Sequence, residues 1–429
     1  MRIELLSGAA ELTPAEWQSL ATDGDPFISR EFLGAAEQTG AAGENLGWQP
    51  MHLVLRDDDR RLAGMLPLYL RTHSFGDFSQ DWRWPDAWRQ AGLAYYPKLV
   101  TGVPFTPSPG PRLLIPKSEI VDHPHPGPFR EPASSRNANG KVGSAHPTKG
   151  YGEQSDMPGP DPSLSEKEEM PTDALIASVL TVSEQLRASC WQCLFVQEQD
   201  RERLDSAGLL MRRGVQFHWI NRGYGDFADF LSRFTAEKRK KVKRERRAVS
   251  DAGLHVTALH GDEIEPSLWP VIHRHYRDTF ARYGNYPAFS EAFFRQVGAG
   301  LGWRMVVFIA WRGQQPVASA ICYRNSTTLF GRHWGSDVDC PGLHFELCYY
   351  SGIEYAIGQG LQRFEPGAQG EHKLARGFEP VPTWSAFWIR DEAMRGVLAT
   401  YLRREEGGML GYQEEMADHL PFRAEPASK

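Results

Sequence analysis

The sequence predicts an α/β protein built from two copies of one unit, and three observations carry that expectation. First, the chain has 429 residues, more than one ordinary domain holds, so about two or three are expected. Second, helix-like periodicity alternates with short apolar strand-like runs along most of it. Third, the second half echoes the first. Pro26-Phe27-Ile28-Ser29-Arg30-Glu31-Phe32-Leu33 matches Pro287-Ala288-Phe289-Ser290-Glu291-Ala292-Phe293-Phe294. Trp48, Leu53-Val54-Leu55 and a strand ending at Tyr69 match Trp303, Phe308-Ile309-Ala310 and a strand ending at Tyr323. Trp84 falls near Trp334, and Ala91-Gly92-Leu93 near Gln359-Gly360-Leu361. Most of these positions lie roughly 250 to 260 residues apart and in one order, which points to duplication. The expected units are residues 1–215 and 216–429.

In chain order, Pro14, Trp17 and Leu20 suit a short helix with proline in its first turn. Ser29 is placed to cap a second helix. Leu53-Val54-Leu55 and Ala63 to Tyr69 read as two strands joined at Asp57-Asp58-Asp59. From about 117 to 170, Ser, Pro, Gly, Asn and His displace apolar periodicity, so a disordered or loosely attached insertion without chemistry is expected. A helix follows from Ala174 to Leu186, then a strand at Leu194-Phe195-Val196.

Composition narrows the functional classes. With 41% hydrophobic and 24% charged residues, the chain is of globular type. Its net charge of −6 argues against a protein that coats nucleic acid along its whole surface. No apolar run approaches the ~18 residues that span a bilayer, so no integral membrane segment is expected. Five cysteines suit a reducing compartment, and the cytoplasm is the expected location.

Four stretches have chemistry to offer. Lys238 to Arg247 holds eight cations in ten residues, and Phe227, Phe230, Leu231, Phe234, Val242 and Val249 fall near a 3.6 period. One long amphipathic helix is expected there. Its other face, with Lys240, Lys241, Lys243 and Arg244, is either simply solvated or suited to phosphates. Cys190-Trp191-Gln192-Cys193 leads into a strand and has no second pair, so it reads as core. His333, Cys340, His344 and Cys348 could be assembled into a zinc set, but Leu343, Leu347 and Tyr350 read as an ordinary buried helix, and no metal is expected.

The fourth stretch, Phe364 to Phe378, sits between a helix-like segment and a strand at Thr383 to Ile389. It holds three glycines and the five ionisable residues Glu365, Glu371, His372, Lys373 and Arg376. Such a loop at a strand end is a candidate active site. Acylating an amine needs a proton acceptor and donors aimed at an oxyanion. Glu365 or His372 suits the first task. Lys373, Arg376 or backbone N–H groups of the Gly367, Gln369 and Gly370 stretch suit the second. A salt-bridged structural turn is the plain alternative. His344 and Glu346, on the preceding helix, are expected to face the same cleft.

These residues also carry a resemblance. Gly331-Arg332-His333-Trp334-Gly335, Leu343 to Tyr350, and Phe364 to Lys373 resemble the FemAB-like bacterial family of peptidoglycan biosynthesis/recognition proteins. Trp48-Gln49-Pro50 with Pro67-Leu68-Tyr69, and Tyr95-Tyr96-Pro97-Lys98 with Val103 to Pro107, resemble its N-terminal half. The resemblance implies two tandem GNAT-like domains, each a mixed sheet flanked by helices. In the FemABX relatives, aminoacyl-tRNA donates an amino acid to an amine of a peptidoglycan precursor. Their basic helix before a strand resembles Ala236 to Arg244 followed by Gly253 to Val256. Their Phe-Lys-x-Gly-Phe loop resembles Leu374-Ala375-Arg376-Gly377-Phe378. Its lysine falls at Ala375 here, which leaves Lys373 or Arg376 to substitute. The expected activity is N-acyl or aminoacyl transfer to a primary amine, and the alternative is a non-catalytic module that recognises cell-wall precursor or RNA. The implied donor is a CoA thioester, an acyl carrier protein or aminoacyl-tRNA. The implied acceptor is an amine, and no tightly bound cofactor is expected.

Overall fold

A computed structural model describes residues 1–119, 170–368 and 370–423. Fourteen strands are described: β1 (Arg2–Leu6), β2 (Trp48–Pro50), β3 (His52–Arg56), β4 (Leu62–Leu66), β5 (Tyr69–Arg71), β6 (Lys98–Thr101), β7 (Cys190–Val196), β8 (Leu210–Ile220), β9 (Leu254–His260), β10 (Met305–Arg312), β11 (Gln315–Arg324), β12 (Thr328–Ser336), β13 (Arg363–Glu365) and β14 (Glu379–Ile389). Eleven of them form one sheet, in the order β2-β5-β6-β7-β14-β8-β13-β12-β11-β10-β9, and β1-β3-β4 form a second.

The repeat is visible in the pairing. β1-β3-β4 corresponds to β9-β10-β11, each an antiparallel set. The parallel pair β6–β7 corresponds to the parallel pair β12–β13. The last strands then cross over. β8 follows β7 in the chain but pairs with β13, while β14 follows β13 and pairs with β7. β8 and β14 pair antiparallel with each other over nine positions, so the sheet has an approximate two-fold relation about that ladder. Positions 215 and 216 both lie within β8. The mixed sheet flanked by helices, in two repeated units, is the tandem GNAT-like arrangement that the resemblance implies.

Two of the sequence matches are not structural equivalents. Trp84 starts a helix (Trp84–Gln90) between β5 and β6, whereas Trp334 lies inside β12. Gly92 and Gly360 both follow helix ends at positive φ, but those helices occupy different places in the two units. The signal they share is helix termination, which glycine serves anywhere. The expected single helix over 227–249 is likewise two, Phe227–Ser232 and Ala236–Asp251. They break where Phe234 pairs with Phe422 near the C-terminus.

Local sequence explains the elements that place the site. Ser29 and Ser290 occupy the same position in the two units, and their hydroxyls accept from Phe32 and Phe293 N–H at 3.1 and 3.2 Å. The helices they cap, Arg30–Gln38 and Glu291–Leu301, pack together, with Phe32 and Phe293 edge to face at 5.3 Å. β10 reads as a continuous apolar run because both its faces are covered. Met305, Val307 and Ile309 join one core and Val306, Phe308 and Ala310 another. Cys190 and Cys193 are both buried in β7, which is the core role expected of them. Residues 117–170, read as a loose insertion, lie almost wholly outside the described residues. Only Lys117–Glu119, a short 3-10 turn, and Met170, the cap of helix Pro171–Gln185, are described.

One contact in this frame is unforgiving. Helix Trp269–Arg282 presses on β12 at Gly335, where a Cβ would overlap the carbonyl oxygen of His275. Gly335→Ala is expected to cost about 3 kcal/mol or more in a urea unfolding experiment, because backbone and not a flexible side chain would have to move. An unchanged midpoint would mean that the helix yields freely.

Candidate functional site

β13 is three residues long because Pro366 follows Glu365. Proline has no N–H to continue the ladder, so the chain leaves the sheet while β12 runs on to Ser336. The loop that follows lies against β12, and a Cβ at Gly331 would come 3.3 Å from the Pro366 Cα. Its helical turn, Glu371–Arg376, ends at Gly377 with φ 85°, where a Cβ would also meet the Phe230 ring at 2.8 Å. Only glycine combines that backbone with that clearance.

This turn carries Lys373 inward. The side chain is 1% exposed, and Nζ donates to the Gly367 carbonyl at 2.6 Å. Glu365 is also 1% exposed. Its Oε1 accepts from Arg332 at 2.7 Å and its Oε2 from the Ser108 hydroxyl at 3.2 Å, which ties the two units together. Burial lowers the Lys373 ammonium from its ordinary 10.5 to about 7, Arg332 adds to the effect, and the Glu365 charge opposes it. His218 on β8 is also buried and held well below its usual range, first by desolvation and then by Arg363, Lys373 and Arg332. Its Nε2 lies 3.2 Å from the side-chain oxygen of Gln216. The centre is therefore a buried amine and a buried imidazole, both biased to neutrality, beside an Arg332–Glu365 ion pair.

His372 and His344 lie on the outer side of the turn. His372 Nε2 is 2.7 Å from the Tyr349 hydroxyl, and His344 packs on Trp334 at 4.6 Å. Burial lowers His344 to about 4, with His372, Arg376 and Lys373 adding to it, and burial followed by Lys373 and Arg376 lowers His372. The helix that supplies His344 and Tyr349 holds one π turn, Glu346–Tyr350, in place of the uniform helix expected. Glu346 consequently points elsewhere. It accepts three bonds from the Arg246 guanidinium, at 2.9 to 3.2 Å, on the far side of helix Ala236–Asp251.

Arg376 is a strut. It donates to the His372 carbonyl at 2.7 Å and to Glu245 at 3.0 and 3.1 Å, and it stacks on Phe345 at 3.4 Å. Glu245 also accepts from the Tyr350 hydroxyl. Lys240, Lys241, Lys243 and Arg244 are exposed on the same helix. Of these, Lys243 alone lines the large cleft of about 870 Å³ between that helix and the sheet, a cleft that touches none of the residues 364–378. Gly367 and Gly370 precede the turn at φ 94° and 115°, and Gln369 lies outside the described residues.

Several participants went unseen in the sequence. Arg332 lies in the Gly331–Gly335 run, where nothing local marks an ion pair, whereas Glu245, the lone acid of the basic stretch, is a local sign of one. Ser108 and His218 come from distant chain positions and gave no local sign. Ser319, His275 and Asp337 form a second constellation, with Oγ–Nδ1 3.0 Å and Nε2–Oδ2 3.3 Å. Ser319 is buried inside β11, so the order of a hydrolase triad serves here to fasten helix 269–282 to the sheet.

The family model for FemAB-like proteins, described as peptidoglycan biosynthesis/recognition, matches residues 8–131 and 160–424. No curated protein matches the chain by sequence. Among solved structures, that of FemX is 10% identical, covering 93% of this chain and 100% of its own at a TM-score of 0.48. A tandem GNAT protein from the clavulanic acid biosynthesis pathway is 11% identical, covering 90% and 97% at 0.38. The L-PGS of Bacillus licheniformis is 12% identical, covering 55% and 79% at 0.39.

Proposed function

Because the chain belongs to the FemAB-like family of peptidoglycan biosynthesis/recognition proteins, we propose that it transfers an acyl or aminoacyl group to a primary amine of a peptidoglycan precursor, at the Lys373 centre. The observation that carries this is the Lys373 amine, enclosed by its loop and lowered to about 7. A base poised near neutral pH suits removal of a proton from an attacking amine.

In this scheme the acceptor nitrogen attacks the carbonyl carbon of the donor. The C–N bond forms and the carbonyl electrons move onto oxygen. Neutral Lys373 donates one N–H to Gly367 and keeps its lone pair, which takes the proton from the new ammonium. Collapse breaks the C–S or C–O bond to the donor, and the departing sulfur or oxygen takes that proton back from Lys373. Glu365, with both oxygens engaged, tunes Lys373 through its charge, and Arg332 supplies the positive field for the oxyanion. Arg376 and the Tyr349–His372 pair hold the turn in place. Relative to the roles expected from sequence, proton transfer passes from Glu365 or His372 to Lys373, and the oxyanion task passes from Lys373 and Arg376 to Arg332.

The test supplies purified protein with a precursor peptide bearing a free amine and, in separate reactions, acyl-CoA, acyl carrier protein thioester or aminoacyl-tRNA. Mass spectrometry is expected to find one donor's acyl mass on the amine. Transfer from none of them, with no affinity for any, overturns the proposal. Binding without transfer supports a recognition module instead.

A further inference from the structure

The basic helix Ala236–Asp251 separates two regions. One face holds the catalytic turn through Glu245 and Arg376, and the other overhangs the cleft of about 870 Å³. That volume lies in the range of small-molecule sites. The floor is apolar, made by Val256 of β9, Phe308 of β10, and Leu231 and Phe227 of the preceding helix. Tyr355 forms part of the opposite wall.

The charges of the lining divide unevenly. Arg246 is committed to Glu346 and Glu354 and lies over the Phe227 ring. Asp226 accepts from the backbone N–H of Asp229 as a helix cap. Arg239, Lys243 and Arg247 remain, with no carboxylate partner among the described residues. They are spaced i, i+4 and i+8, so they form one stripe along the helix, on the edge of an apolar trough. Like charges at that spacing repel, and the helix tolerates them at a cost that a bound polyanion would remove.

We propose that this cleft binds a phosphate or diphosphate ester carrying an apolar chain. The phosphate would sit on Arg239, Lys243 and Arg247, and the chain would lie over Val256 and Phe308. The site is separate from the Lys373 centre and does not depend on the acyl-transfer proposal.

Isothermal titration of the full chain below the micelle concentration tests it, with dodecyl phosphate, dodecanol, inorganic pyrophosphate and dodecanoyl-CoA as probes. Dodecyl phosphate is expected to bind at least about tenfold more tightly than either dodecanol or pyrophosphate, since both halves of the site contribute. Dodecanoyl-CoA binding better still would identify a nucleotide thioester as the source of the phosphate, and dodecyl phosphate binding better would identify a lipid. The triple variant Arg239→Gln, Lys243→Gln, Arg247→Gln should lose binding of both phosphorylated chains. Ala258→Trp, which fills the cleft from β9 without touching the cations, should abolish the advantage of the chain and leave pyrophosphate binding unchanged. Equal affinity for pyrophosphate and dodecyl phosphate overturns the proposal, as does equal affinity for dodecanol, or no binding at all. A tRNA acceptor-stem fragment displacing dodecyl phosphate at lower concentration than any lipid would overturn it in favour of a nucleic-acid face.

Discussion

Lys373→Met is expected to remove acyl transfer, lowering kcat by about 10²–10⁴, while leaving the protein at least as stable near pH 6. The two halves of this expectation have one cause. An amine that is lowered to about 7 when folded and titrates near 10.5 when unfolded is harder to protonate in the native state. Between those values the unfolded chain binds more protons, so stability rises with pH across the window from 7 to 10.5. Below 7 both states hold the proton, and the folded protein carries the full cost of a buried ammonium. Methionine has nearly the same volume and no charge, so the variant should gain most at pH 6 and lose its advantage as pH approaches 10. Its one loss is the bond to the Gly367 carbonyl. Lys373→Arg separates charge from basicity, because guanidinium does not deprotonate in this range, and it should be as inactive as the methionine variant. Urea titrations at several pH values, with the transfer assay alongside, decide the matter. Retained activity in either variant, or a methionine variant weaker than the parent at pH 6, would sink the assignment of Lys373.

How far the sequence foretold this centre depends on distance along the chain. The loop was legible because its chemistry is local. Gly367, Gly370 and Gly377 mark a backbone that only glycine adopts readily, and Glu365, Lys373 and Arg376 stand among them where a core strand would have continued. The repeat was legible through Ser29 and Ser290, since a helix cap and its following phenylalanines are a local pattern. It misled at Trp84 and Gly92, where aromatic residues and helix stops recur without marking equivalent places. The crossing of β8 and β14 could not be read, because pairing between strands about 170 residues apart leaves no periodic trace. The same distance hid Ser108 and His218. The inward direction of Lys373 and the tethered state of Arg376 depend on a turn of six residues that buries Lys373, Leu374 and Arg376 and leaves Glu371 and His372 exposed. Spacing alone does not say which cation enters.

Glu365→Gln and Arg332→Met are expected to move the pH–rate profile in opposite directions. If Lys373 is the base, the rate rises with pH as its ammonium loses a proton near 7. The Glu365 charge raises that value, so its removal lowers it, and the rising limb should move to lower pH. Arg332 depresses the value, so its removal should move the limb to higher pH. If Glu365 were itself the proton acceptor, the glutamine variant would be inactive at every pH, and no shifted limb would be found. Stability supplies a second check on the same pair. Either single change leaves a buried charge without its partner and should cost about 3 kcal/mol or more in unfolding free energy. The double variant, with no charge left to strand, should be more stable than the sum of the single losses implies. In the glutamine variant the amide oxygen faces Arg332 and the amide N–H donates to the Ser108 hydroxyl, so the link between the two units is retained and the measured loss reports the ion pair. Limbs that move in the same direction would assign the titration to some group other than Lys373, and with it the proton acceptor of the reaction.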